Sequence, residues 1–76
     1  MNKARREQVS KAMDTLNKVK DTLDEVLGDE EDALDNTPEN LQGTERYSLM
    51  EDAVDSLTDA LQSVGDAIDS LETLVN

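Results

Sequence analysis

Apolar residues return with a seven-residue period along most of the chain. From Met50 onward the sequence divides into MEDAVDS, LTDALQS, VGDAIDS and LETLVN. The first column is Met50, Leu57, Val64 and Leu71. Three places on stand Ala53, Ala60, Ala67 and Leu74, and beside them Val54, Leu61, Ile68 and Val75. These columns read as a, d and e positions of a heptad, an apolar stripe on one face of a helix, and the period excludes a strand. The first half repeats the pattern less regularly. Val9, Leu16 and Leu23 are seven apart, Ala12, Val19 and Val26 lie three places on, and Met13 and Leu27 sit beside two of those. The register continues to Ala33 and Leu34. It predicts a helix over about residues 3–35, bent or frayed at Gly28, which costs roughly 1 kcal/mol relative to Ala in a helix interior. The competing reading stops this helix at Gly28 and leaves Asp29 to Asp35 as an acidic loop.

Between the halves lies Asn36-Thr37-Pro38-Glu39-Asn40-Leu41-Gln42-Gly43. Pro38 disfavours helix at the residue before it and ends the first helix. Thr37 and Pro38 fit the N-cap and first position of a short helical turn that Gly43 closes. Thr44 fits the N-cap of a second helix over about residues 44–75. Leu41 is expected to tuck into the hairpin end. Two helices of similar length with a short connection pack antiparallel. The expected fold is therefore all-α, one domain spanning residues 1–76: an antiparallel two-helix hairpin with heptad seams.

A two-helix seam uses two columns, and the second helix offers three. The column Val54, Leu61, Ile68 and Val75 is the expected surplus and the expected oligomer interface. A homodimer of hairpins, forming a four-helix bundle, covers it most simply. A lone hairpin that offers the stripe to a different protein is the alternative.

Composition narrows the chemistry. There is no Cys, His, Phe or Trp, and Tyr47 is the one aromatic residue. Disulfides, thiolate zinc sites and the commonest general base are all missing. Carboxylates alone, without a pocket or other polar partners, do not make an active site, so no catalytic residue, cofactor or metal ligand is assigned. The acid-dense stretch Gly28 to Asp35 lacks the alternating ligand order of a calcium loop. Tyr47 is expected to pack over the loop against Leu41 or Leu34, with a role as an interface anchor as the other option. No apolar run spans a bilayer and no secretory signal opens the chain, which points to a cytoplasmic protein without a membrane partner.

The net charge of −12 is unevenly placed. Residues 1–20 hold six of the seven cations against two acids, and residues 21–76 hold Arg46 against seventeen acids. That balance disfavours direct binding of nucleic acid and favours a basic protein surface as partner. Asp52, Asp55, Asp59, Asp66 and Asp69 recur on the polar side of the second helix and form the candidate partner-binding face. Their spacing is reminiscent of a line of duplex phosphates, so a nucleic-acid-binding protein is the natural target. A merely solvated helix face is the plain alternative. Asp is a poorer helix former than Glu, which gives its repetition some meaning. The basic start Lys3, Arg5, Arg6 and Lys11 can touch an anionic ligand or pair with Asp66, Asp69 and Glu72 across the hairpin.

The run Asn36 to Arg46 between two acidic heptad helices, with the start Met1-Asn2-Lys3 to Arg6 and the Asp-Ser-Leu repeat, resembles small, mostly uncharacterised acidic helical-hairpin proteins of Gram-positive bacteria and their phages. Gly28 departs from the Glu/Lys-rich run expected there. The resemblance covers nearly the whole chain and brings no catalytic residues. It implies a phage or mobile-element setting, where small acidic proteins act as inhibitors of host nucleic-acid-binding or defence proteins. The expected function is thus a non-enzymatic acidic binding module of that kind. The alternative is a structural or adaptor dimer without nucleic-acid mimicry.

Overall fold

The computed structural model describes residues 1–75. It contains helix α1 (Lys3–Asp35), a single 3-10 turn (Glu39–Leu41) and helix α2 (Glu45–Val75). The two helices pack against each other along a rod about 59 Å long and 14 Å across. The hairpin fold follows from the sequence pattern, and α1 runs through Gly28 without a break. A Cβ at Gly28 would meet nothing within 4 Å, so packing against another group does not explain the glycine.

Local chemistry sets the ends. Asn2 is extended and its Oδ1 accepts from the Arg5 N–H at 2.8 Å, capping α1. Thr44 accepts from the Tyr47 N–H at 3.2 Å and caps α2, while its hydroxyl donates to the Leu41 carbonyl at 2.7 Å. Thr37 does not cap the short turn, whose N-cap is Pro38 without a side-chain bond. Its hydroxyl instead donates back to the Ala33 carbonyl at 2.9 Å and its N–H to the Leu34 carbonyl. Thr37 thus occupies carbonyls that the end of α1 leaves free, which a helix terminus needs as much as an N-cap does. Gly43 does not take a positive φ, so the turn does not depend on left-handed backbone. Leu41, expected inside, stays 45% exposed at the tip.

The seam differs from the expected one by one column. On α2 the residues drawn inward are Tyr47, Val54, Leu61, Ile68 and Val75, together with Met50, Leu57, Val64 and Leu71. Ile68 is the one buried residue among those described, at 6% exposure. The column assigned as surplus and as oligomer interface (Val54, Leu61, Ile68, Val75) is therefore half of the hairpin's own core. Ala60, Ala67 and Leu74 are the residues left outside, with Ala53 half covered. On α1 the same rotation places Met13, Leu27 and Leu34 beside Val9, Leu16 and Leu23 in the seam, and leaves Ala12, Val19, Val26 and Ala33 exposed. The physical reason is size. Burial is worth roughly 25 cal/mol per Å² of apolar surface, so a column of Val, Leu and Ile gains more inside than a column of alanines. The resulting α2 seam sets Val54, Leu61, Ile68 and Val75 in one column beside Met50, Leu57, Val64 and Leu71 in the other.

Candidate functional site

Helix geometry carries five aspartates to the side of α2 that faces away from α1. Asp52, Asp59 and Asp66 occupy one column and Asp55 and Asp69 the next, both roughly opposite the seam. All five are exposed. At 1.5 Å rise per residue they extend over about 26 Å of axis. They form two groups, Asp52, Asp55 and Asp59 toward the hairpin tip and Asp66 and Asp69 toward the open end. Gln62, exposed and uncharged, separates them. After Arg46 no cation follows in the sequence, so the acidic line has no neutralising residue on its own helix.

The cross-hairpin pairing expected at the open end takes another form. Among the described residues the side-chain hydrogen bond of the basic cluster is Arg6 Nη1 donating to the Met1 carbonyl at 3.0 Å. No hydrogen bond joins Lys3, Arg5 or Arg6 to Asp66, Asp69 or Glu72 among those residues. The first turn of α1 has no acid and its last turn no base, so both ends carry charge of the sign the helix dipole disfavours.

Two depressions mark the surface. A cleft of about 500 Å³ at the tip is lined by Ala33, Thr37, Pro38, Leu41, Arg46 and Met50, among others. Its wall is mostly apolar, and Arg46 is its one charged group. A shallower hollow of about 270 Å³ lies on α1 between Thr15, Lys18, Val19, Thr22 and Leu23. Neither contains a carboxylate. Among the described residues no three acids converge on a point where a metal ion could sit. No helix is long and apolar enough to cross a membrane. Tyr47 is half-buried and falls on the seam column that continues into Val54.

Sequence periodicity placed the aspartates outside because a helix that buries one stripe exposes the other. It does not reveal the apolar flank formed by Ala12, Val19 and Val26, because the heptad puts those residues in the seam. Side-chain size within each column was the available signal. Comparison with known proteins gives no match: no family model, curated protein or solved structure aligns with the chain.

Proposed function

We propose that the chain is a non-enzymatic binding module whose acidic α2 face docks onto a basic protein surface. The natural target is the nucleic-acid groove of a host protein, and the setting, drawn from the resemblance, is a phage or mobile element inhibiting that host. One observation carries this reading. Five exposed aspartates share one side of α2, over about 26 Å, with no cation on the helix beyond Arg46. Such a uniform line raises local potential and steers a basic partner. Charge-neutral solvation needs no such segregation, since mixed signs keep a helix face soluble as well.

The test is charge reversal. Asp52, Asp55 and Asp59 are replaced together by Lys, and wild type and variant are used to capture partners from bacterial lysate for mass spectrometry. The variant is expected to stay helical by circular dichroism and to lose the basic partner. Capture of the same partner by both would remove the acidic face from the function. A second reading, a structural dimer without mimicry, draws on the exposed apolar flank of the hairpin. In that reading two hairpins form a four-helix bundle and the charge serves solubility alone.

A further inference from the structure

The hairpin has two long sides beside its seam, and they differ in chemistry. In an antiparallel pair, one helix winds clockwise and the other counterclockwise when both are viewed from one end. Columns displaced the same way from each seam therefore emerge on the same side of the rod. One side carries Ala12, Val19 and Val26 of α1 with Ala60, Ala67 and Leu74 of α2. Val19 is 40% exposed, Val26 41% and Leu74 45%. The other side carries Asn17, Asp24, Glu31 and Thr58, all exposed.

We propose that the apolar side is covered by a second copy of this chain, packed antiparallel about a two-fold axis, so that the two acidic faces of α2 stand side by side. Charge selects the occupant and the orientation. Residues 1–20 of α1 carry +4 and residues 21–35 carry −8, while residues 45–59 carry −4 and residues 60–76 carry −3. A two-fold axis across the rods sets α1 beside the reversed α1 of the partner copy. The +4 half then meets the −8 half twice, and the weaker like-charge meeting, −4 with −3, also occurs twice. A two-fold axis along the rods sets α1 beside the other copy's α2, tip to tip. The −8 half then meets the −4 half twice, and the weaker +4 against −3, also twice, opposes it. Opposite charges dominate the first arrangement and like charges the second. The crossed arrangement also gives each end of α1 the countercharge that its own helix dipole lacks.

The area suffices. A face about 30 Å long and two helices wide, about 20 Å, buries on the order of 600 Å² per copy, near the lower bound for stable association. Among the described residues the hairpin alone buries Ile68, and that to 6% exposure. A bundle adds a second core layer built from residues that are now in water.

This pairing deepens the acidic-face reading and, in its last part, rests on it. A single α2 presents five aspartates where a duplex strand presents about eight phosphates over the same length. Two α2 helices lie about 8–10 Å apart in a bundle, between the widths of the minor and major grooves. The crossed dimer thus offers two charged lines at duplex-like separation, where one hairpin offers a single sparse line.

The experiment separates assembly, orientation and charge. Light scattering of the wild type at micromolar concentration is expected to give a mass near twice 8.4 kDa. Val19→Asn with Val26→Asn, both outside the seam, is expected to give a helical monomer. Val19 lies midway along its exposed column, beside the proposed axis. The chain has no native cysteine, so Val19→Cys alone is expected to form a disulfide dimer on mild oxidation. Tip-to-tip packing holds the two Val19 positions on diagonal helices, beyond the roughly 7 Å limit for a disulfide. Asp14→Cys, on the outer side of α1, serves as the uncrosslinked control. Binding to immobilised poly-L-lysine is expected to weaken by at least about tenfold in the Val19→Asn, Val26→Asn monomer. A monomeric wild type overturns the proposal, and a dimer that Val19→Cys does not crosslink overturns its orientation. Full poly-L-lysine affinity in the monomer overturns the double line. Replacing Asp52, Asp55 and Asp59 by Asn in the intact dimer without loss of that affinity would instead sink the acidic-face reading and leave the assembly standing.

Discussion

The two helices share a period and a seam, yet they are built to different standards. The α2 seam, from Tyr47 through Ile68 to Val75, holds no charged residue. The α1 seam is broken twice, by Lys20, which is exposed, and by Glu30, which is half covered. The single buried residue among those described, Ile68, belongs to α2. Conversely α1 carries the segregated charge, cations first and acids last. Both helices line the seam, α2 with the more continuous apolar columns, and α1 supplies the polarity along the rod. A thin core on one side and strong charge segregation on the other are what a hairpin completed by a partner would need.

The largest expected effect comes from cutting into the better seam. Ile68→Ala removes the one buried side chain and should cost about 2–3 kcal/mol, the lower part of the range for such truncations, because the cavity lies close to solvent. Val26→Ala, on the exposed flank of α1, should cost well under about 1 kcal/mol in the monomer. Urea unfolding of both variants, with m values compared, measures the contrast. Equal losses would mean that the hairpin seam is not the main core.

Repairing the poorer seam should sharpen the picture from the other side. Lys20→Leu fills a gap in the column of Met13, Leu27 and Leu34. It should stabilise by about 1–1.5 kcal/mol, less than the full value of a buried leucine because the position is open. A thermal melt reads this as a rise of several degrees, since about 1 kcal/mol moves Tm by roughly 4–8 °C in a domain of this size. A fall in Tm would indicate that Lys20 holds a charge partner worth more than the packing.

The smallest effect concerns the backbone of α1. Gly28 sits inside the helix with open space where a Cβ would stand. Gly28→Ala should therefore add about 0.5–1 kcal/mol by helix propensity and reduced unfolded-state freedom. Hydrogen exchange at Leu27, Asp29 and Glu30 should slow in parallel. A destabilised variant would show that the glycine answers a need for close approach that the isolated hairpin does not contain.

Much of the fold was legible because its signals are local and repeated. Seven-residue spacing from Val9 to Leu34 and from Met50 to Val75 specifies two helices. Pro38 and Thr44 mark where one ends and the next begins. The aspartates of α2 follow from the same logic, since residues away from an apolar stripe face water. The candidate site was legible in position but not in consequence. Which flank of the rod stays apolar, and that both helices contribute to the same flank, depends on how the two helices face each other.

By itself, then, the sequence determined the helices, the cap at Thr44, the connection between them and the charge carried along each. These are consequences of backbone hydrogen bonding and side-chain order within a few residues. Only the tertiary structure decided which two of three apolar columns turn inward. The choice is a rotation of each helix by less than a quarter turn, and the heptad period is blind to it. Packing decides it, by placing Val54, Leu61 and Ile68 inside and the alanines out, because larger side chains lose more surface to water if left exposed.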